Sequence, residues 1–168
     1  MSPISKVFIA NRGEIALRII RACRESGVES VLGISEADKD SLPAKMADRV
    51  VCIGPARSQE SYLKAETIVC AAIGTGADAI HPGYGFLAEQ PNLPKICQEH
   101  GLIFIGPPEK CIREMGNKLL ARQIVKDQGI SVIPGSENVR TVEEAVEAAS
   151  AIGFPVIMKA AGDGASGR

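Results

Sequence analysis

The stretch that decides the fold is Lys6-Val-Phe-Ile-Ala-Asn-Arg-Gly-Glu-Ile-Ala-Leu-Arg-Ile-Ile-Arg-Ala-Cys23. Its first five residues are largely apolar and predict a short buried strand. Asn11 to Gly13 interrupt this run, and apolar residues then recur at the spacing of one helix face. Gly27 predicts the end of the helix, and residues 30–35 predict a second strand. A strand, loop, helix and strand in this order open a parallel α/β sheet.

The composition argues against two classes of partner. The 168 residues carry a net charge of −1, with 45% hydrophobic and 23% charged residues, and contain no basic run that would favour nucleic acid. No apolar run approaches the roughly 20 residues that cross a bilayer, and the N-terminus lacks a signal-peptide pattern. Five cysteines without a CxxC pair predict buried thiols in a reducing cytoplasm.

Strands and helices alternate along the chain up to about residue 106. Further strands are predicted at 49–53, 77–80 and 102–105, further helices at 62–73 and 92–100, and a short helical turn at 43–48. We therefore predict an α/β fold in which a Rossmann-like, doubly wound parallel sheet occupies residues 1–106.

The pattern changes from residue 107 onward. Helices are predicted at 109–115, 118–127 and 141–150, the last with a capping box formed by Thr141 and Glu144. A strand is predicted at 153–159, and a loop of small residues follows it. Such a loop normally leads into another element, so we expect residues 107–168 to be the start of a second domain that the sequence cuts in its glycine-rich loop.

The first loop argues against a dinucleotide site. Dinucleotide-binding folds place three glycines after the first strand and an acidic residue near the end of the second. Residues 35–40 supply acidic side chains, but the loop between Ala10 and Glu14 contains a single glycine. A similar sheet that binds a different ligand is the better interpretation.

The motif His81-Pro-Gly-Tyr-Gly-Phe86 directly follows a predicted strand, where open α/β sheets bind their ligands. Its glycines allow close approach of the backbone, and Tyr84 and Phe86 could stack on a planar ring. A tight turn whose aromatic side chains fold into the core explains the same residues equally well. The residues alone leave both interpretations open.

Two lysines are candidates for binding phosphate. Lys118 begins a predicted helix, and Lys159 ends an apolar strand, where an ammonium group is costly unless it meets an anion. With the terminal glycine loop they suit a polyphosphate; alternatively, both side chains reach solvent. The sequence has no P-loop motif. His81 and His100 lack a partner cluster, so we expect neither a nucleophile–base pair nor a metal site within this chain.

The opening stretch and six further stretches, in order, make the sequence resemble biotin carboxylase, the ATP-grasp component of biotin-dependent carboxylases such as acetyl-CoA and pyruvate carboxylase. The resemblance covers essentially the whole chain. It is carried by the opening at 7–18 together with Ser35–Asp40, Met46–Asp48, Ile80–Glu89, Phe104–Pro107, Met115–Lys118 and Gly153–Ala160.

The resemblance implies a pre-ATP-grasp domain at 1–106 and the start of an ATP-grasp domain at 107–168. It implies ATP binding by Lys118, Lys159, Gly162, Gly164 and Gly167. It further implies that Tyr84, Gly85 and Glu89 lie near biotin, and that Arg18 and Arg21 lie in a dimer interface. The implied cofactors are ATP and Mg²⁺, with biotin as the carrier-bound substrate. The implied partners are the biotin carboxyl carrier protein, the carboxyltransferase component and a second copy of the chain.

Two features separate this sequence from the family pattern. The loop Gly162-Asp-Gly-Ala-Ser-Gly167 is interrupted where the family has an almost pure glycine run, and Asp163 brings negative charge towards the phosphates. The family's magnesium and bicarbonate residues come later than Arg168, so we expect no catalytic residue here and no activity of this chain alone. A non-catalytic assembly module and a fragment of another ATP-grasp ligase, such as carbamoyl-phosphate synthetase, are the alternative hypotheses.

Overall fold

A computed structural model describes residues 4–136 and 139–158. The chain divides into two compact units, of which the first ends at Ile112 and the second begins at Arg113. The first unit contains the strands β1 (Lys6–Ile9), β2 (Glu29–Ser35), β3 (Arg49–Gly54), β4 (Ala79–His81) and β5 (Ile103–Phe104). They form one parallel sheet in the order β3-β2-β1-β4-β5. This order runs outward in both directions from β1, which confirms the predicted doubly wound α/β fold.

The helices follow the predicted order closely. They are α1 (Gly13–Glu25), α2 (Leu42–Met46), α3 (Ala65–Gly74), α4 (Asn92–Glu99), α5 (Glu109–Gly116), α6 (Lys118–Asp127) and α7 (Val142–Ile152). Short 3₁₀ turns lie at Glu36–Asp38, Ser58–Glu60 and Phe86–Glu89. Among the described residues, none of the helices combines the length and apolar character needed to cross a membrane.

The sheet of the first unit is covered on both faces, and β1 shows how. Val7 and Ile9 belong to a core cluster that includes Ile19 and Ile20 of α1. Phe8 belongs to a second cluster, formed with α3 and α4. Because alternate residues of β1 are buried on opposite faces, the strand needs an unbroken apolar run rather than an alternating one. This explains why the apolar run in the opening stretch predicts a buried strand of a parallel sheet.

The helices of the two units begin in different ways. Arg12 precedes α1 without a side-chain cap, and the helix instead buries Ala16, Ile19, Ile20 and Cys23. In the second unit, Asn117 Oδ1 accepts hydrogen bonds from the backbone N–H groups of Leu119 at 3.0 Å and Leu120 at 3.1 Å. Thr141 Oγ1 likewise accepts from the N–H of Glu144 at 3.2 Å, which confirms Thr141 as the cap of α7. The Glu144 carboxylate accepts from the N–H of Arg140 at 2.7 Å instead of closing the predicted capping box at Thr141.

Two expectations need correction. Residues 153–158 form no strand, and the described part of the second unit contains no strand with which they could pair. Cys23 and Cys97 are buried as expected, but the other three thiols are exposed, at Cys52, Cys70 and Cys111. β3 is an edge strand, so a strand pattern alone did not guarantee burial of Cys52. Burial raises the pKa of Cys97 to about 11.

Candidate functional site

Three loops of the first unit meet beyond the carboxyl ends of the strands. Asn11 and Arg12 follow β1, the turn containing Asp38 follows β2, and the His81–Glu89 segment follows β4. The backbone N–H of Ala10 donates to the carbonyl oxygen of His81 at 3.0 Å, so the ends of β1 and β4 are joined directly. The strand order reverses between these two strands, and open α/β sheets bind ligands at such a point.

The side chain of Asn11 connects the β1 loop to the β4 loop. Its Nδ2 donates to the carbonyl oxygens of Pro82 at 2.7 Å and Tyr84 at 2.9 Å. Its Oδ1 accepts from the backbone N–H of Arg12 at 2.8 Å. Asn11 is fully buried, and these bonds satisfy its polar atoms.

The segment from His81 to Phe86 turns sharply and presents one aromatic ring to solvent. His81 Nδ1 accepts from the N–H of Gly83 at 3.0 Å, and burial lowers the pKa of His81. Tyr84 is 60% exposed, and its hydroxyl donates to the Glu14 carboxylate, which raises the pKa of Tyr84. Gly85 adopts a φ of +69°, which a residue with a side chain rarely adopts.

Phe86 faces the other way and packs on a buried tyrosine. Its ring stacks on Tyr62, with centroids 5.4 Å apart and planes 11° apart. Phe86 has a φ of +47°, a conformation that costs about 1–3 kcal/mol in a residue other than glycine. The contact with Tyr62 and the core therefore stabilises a turn that its backbone alone disfavours. The motif thus divides between its two aromatic residues: Phe86 packs inward, as the tight-turn interpretation predicts, whereas the ring of Tyr84 is exposed to solvent.

Tyr62 is fixed by a polar network at the end of β2. Its hydroxyl donates to the Asp38 carboxylate at 2.8 Å and accepts from the N–H of Ser35 at 3.0 Å. Burial, reinforced by Asp38, raises the pKa of Tyr62 to about 12. Arg12 pairs with Asp38 at 3.0 Å and lies 5.7 Å from the centre of the Tyr62 ring. Asp38 is thus engaged within the protein by both Tyr62 and Arg12.

The remaining predicted residues occupy different parts of the chain. Glu89 ends the 3₁₀ turn after Phe86 and is exposed, as are Arg18 and Arg21 on α1. Lys118 is exposed at the first position of α6 in the second unit. The other predicted nucleotide-binding residues lie outside the described residues: Lys159, Gly162, Gly164 and Gly167. The described residues contain no group of three or more His, Cys, Asp or Glu side chains that could hold a metal.

Sequence reasoning missed the residues that support the His81–Phe86 turn. The sequence patterns predict only a break between strand and helix at Asn11 and Arg12, a place on the polar side of the helix for Glu14, and the start of a helix at Tyr62. The signal for Asn11 was a polar residue between a buried strand and an uncapped helix, a position where such a side chain must find internal partners.

The fold and the site together define a doubly wound α/β domain with a glycine- and aromatic-containing loop at its switch point. Comparison with protein families places this domain: the model for the biotin carboxylase N-terminal domain matches residues 3–112. The chain belongs to this family, as its sequence motifs predicted. The model for the ATP-binding domain of the carbamoyl-phosphate synthase L chain matches residues 117–168.

Individual relatives agree with this assignment. The chain is 54% identical to biotin carboxylase 1 of Bacillus subtilis over 166 residues, which are 98% of this chain and 37% of the relative. It is 48% identical to a biotin carboxylase of Arabidopsis thaliana, with 96% of this chain and 30% of the relative covered. The chain thus spans about a third of the length of these curated relatives.

Solved structures are similar over the same length. A biotin carboxylase–β-γ-ATP complex from Campylobacter jejuni gives a TM-score of 0.89 at 48% identity and covers 96% of this chain and 36% of that one. The biotin carboxylase domain dimer of Hydrogenobacter thermophilus 2-oxoglutarate carboxylase, in complex with MgADP, ADP and bicarbonate, gives 0.88 at 44% identity. It covers 98% of this chain and 36% of that one.

Proposed function

We propose that this chain serves in the ATP-dependent carboxylation of biotin, as the N-terminal part of a biotin carboxylase. In this reaction bicarbonate attacks the γ-phosphate of ATP and releases ADP, and the carboxyphosphate formed passes its carboxyl group to the ureido nitrogen of biotin, releasing phosphate. The observation that carries the proposal is the His81–Phe86 turn, which presents Tyr84 at the switch point of a sheet that belongs to the biotin carboxylase family.

Within this proposal, the His81–Glu89 segment forms part of the biotin site. Tyr84 offers an exposed ring, Gly85 offers backbone that no side chain screens, and Glu89 adds an exposed carboxylate nearby in the sequence. The tyrosine hydroxyl is already engaged by Glu14. We therefore assign Tyr84 a contact through its ring and backbone rather than a role as a proton donor.

The nucleotide site is proposed for the second unit. Lys118 provides an exposed ammonium group, while the N–H groups of Leu119 and Leu120 in the first turn of α6 are already bonded to the Asn117 side chain. A phosphate near α6 would thus be held by the Lys118 side chain rather than by the helix N-terminus. Lys159, Gly162, Gly164 and Gly167 are proposed to complete the phosphate contacts, and Mg²⁺ would be held by residues beyond this chain. The match of residues 117–168 to an ATP-binding domain supports this division of roles.

The proposal extends to assembly. The exposed Arg18 and Arg21 on α1 are proposed to lie in a homodimer interface, which the dimeric Hydrogenobacter domain supports. The expected partners are the biotin carboxyl carrier protein and a carboxyltransferase component. The five cysteines are all free, which supports a reducing, cytoplasmic location. We retain the proposed domain boundary between residues 106 and 107, and we expect the chain alone to lack activity.

A chimaera tests the proposal directly. The matching third of Bacillus subtilis biotin carboxylase 1 is replaced by this chain, and biotin- and bicarbonate-dependent ATP hydrolysis is measured. We expect activity in the chimaera, a loss with Lys118→Ala, and no loss with Lys126→Ala, which removes another lysine of α6. A folded chimaera without activity would contradict the function. Equal effects of the two lysine variants would contradict the role of Lys118.

A further inference from the structure

Asn11 is a fully buried polar residue that the proposed function does not use. Both N–H groups of its amide donate hydrogen bonds to main-chain carbonyl oxygens of the β4 loop, those of Pro82 and Tyr84. Its amide oxygen accepts a hydrogen bond from the backbone N–H of Arg12 in its own loop. A side chain of this size with two donors and one acceptor occurs only in asparagine. Aspartate lacks the donors, and serine has a single hydroxyl.

The β4 loop closes directly onto this amide. Gly83 lies between the two bonded carbonyls and adopts a φ of +68°. A Cβ atom at Gly83 would lie 2.5 Å from Ile15 Cγ2 and 2.8 Å from Asn11 Nδ2. No side chain therefore fits between the turn and the amide, and the two carbonyls have no room for a replacement partner from position 83.

We propose that Asn11 is a positioning residue, which sets the main-chain course of Pro82 to Tyr84 and thereby places Tyr84 and Gly85 for contact with biotin. The contact with biotin rests on the proposed function, whereas the control of the turn by Asn11 does not. Loss of the two donors leaves carbonyl oxygens without partners beside a buried side chain. The turn then has to open towards solvent while the strands beneath it stay paired.

The substitution Asn11→Asp separates positioning from packing, because it preserves size and the acceptor for Arg12 but removes both donors. The matched control is Asn117→Asp, where the amide acts only through its oxygen and aspartate caps a helix equally well. Both variants are made in the full 168-residue chain. The measurements are the carbonyl ¹³C shifts of Pro82 and Tyr84 and the hydrogen exchange of the Gly83 and Ala88 amides.

In Asn11→Asp we expect both carbonyl shifts to move and the two loop amides to exchange about tenfold faster or more, relative to the amides of α1. The control should show neither change. The proposal is overturned if the loop signals stay in place in a folded variant. It is also overturned if protection falls equally in the loop and in α1, which is the behaviour of a residue that merely stabilises the core.

A second variant covers the case in which a buried carboxyl group prevents folding. Asn11→Ser carries no charge and retains one donor, and the same loop signals are measured in it. If neither variant folds, Asn11 is needed for the fold itself and the positioning role is wrong.

Biotin added to the same samples separates this inference from the proposed function. Shift changes at Tyr84 and Gly85 in the unmodified chain and in the control, but not in Asn11→Asp, would support placement for biotin. Equal changes in all three would overturn the inference and leave the function intact. An absence of changes in the unmodified chain would count against a biotin site here, and the carbonyl shifts and exchange rates would then decide the control of the turn.

Discussion

Ile80 and Ile133 are the same residue type in two very different settings. Ile80 lies on β4 in the first unit and is completely buried, whereas Ile133 in the second unit is 84% exposed. The contrast holds generally. The first unit contains two clusters of buried side chains, and none of the side chains described between residues 113 and 158 is buried.

The difference shows what stabilises each unit. In the first, the uncapped helix α1 is held by residues that are distant in sequence, because its apolar face packs on the sheet. In the second unit, α6 and α7 are capped by the side chains of Asn117 and Thr141, each of which directly precedes its helix in the sequence. Long-range burial contributes far more free energy than a local cap. Substitutions should therefore have large, cooperative effects in the first unit and small, local effects in the second.

The largest expected difference comes from truncating the two isoleucines. Ile80→Ala should lower the free energy of unfolding by about 3–4 kcal/mol, because it removes a buried side chain and leaves a cavity. Ile133→Ala should change it by less than about 0.5 kcal/mol, since the side chain is already in solvent. Urea denaturation followed by circular dichroism measures both. Equal losses in the two variants would show that Ile133 is buried in solution and would remove the contrast between the units.

Two glycine substitutions should differ in sign. At Gly33 a Cβ would lie 2.9 Å from Phe8 Cζ and 3.3 Å from Ile53 Cγ2, so Gly33→Ala should cost about 1–3 kcal/mol by overpacking the core. At Gly116, the last residue of α5, a Cβ meets nothing within 4 Å. Gly116→Ala should therefore be neutral or stabilise by up to about 1 kcal/mol. Thermal unfolding of both variants measures this, and destabilisation at Gly116 would reveal tight packing there.

A smaller and purely local effect is expected at the cap of α7. Thr141→Ala removes the acceptor for the N–H of Glu144 and should cost about 1 kcal/mol of helix stability. Thr141→Ser retains the hydroxyl and is the control. Backbone chemical shifts should show fraying of the first turn of α7, with the amides of the first unit unaffected. A change that spreads to β1 would contradict the local character of the second unit.

Most of the first unit could be predicted from the sequence, because its strands and helices carry strong local patterns. The apolar run before Asn11, the helix ending at Gly27 and the strand at 49–53 all lie close to the observed positions. The strand predicted at 153–159 shows the limit of this reasoning. A strand depends on a neighbour that supplies hydrogen bonds, and the amino acids of the strand itself do not reveal that neighbour.

The site could be predicted only in part, for a related reason. The His81–Phe86 motif was visible because glycine, proline and aromatic residues are concentrated there. Its supports were not, since Asn11 and Tyr62 reach the motif across about 71 and 24 residues of sequence, respectively. The inward orientation of Phe86 likewise depends on Tyr62, and the position of Tyr84 depends on Asn11 and Glu14. No spacing rule connects these residues to the motif.

Acidification should give the smallest effect, and it should be confined to the first unit. Both histidines, His81 and His100, belong to it. Burial lowers the pKa of His81 below its ordinary value of 6.5, so the unfolded chain binds a proton more readily than the folded one. His81 therefore does not affect the free energy of unfolding above about pH 6.5, and it lowers this free energy as the pH falls below that value.

Hydrogen exchange at pH 7.5 and 5.5 measures this effect. Protection in the first unit should be weaker at the lower pH, and the difference should shrink in His81→Gln but not in the control His100→Gln. An unchanged pH response in His81→Gln would mean that a group other than His81 causes the loss of protection. Asp48 and Asp78 do not explain such a loss at pH 5.5, because hydrogen bonds from Ser30 and Ser5 lower their pKa values and they change stability only in a more acidic range.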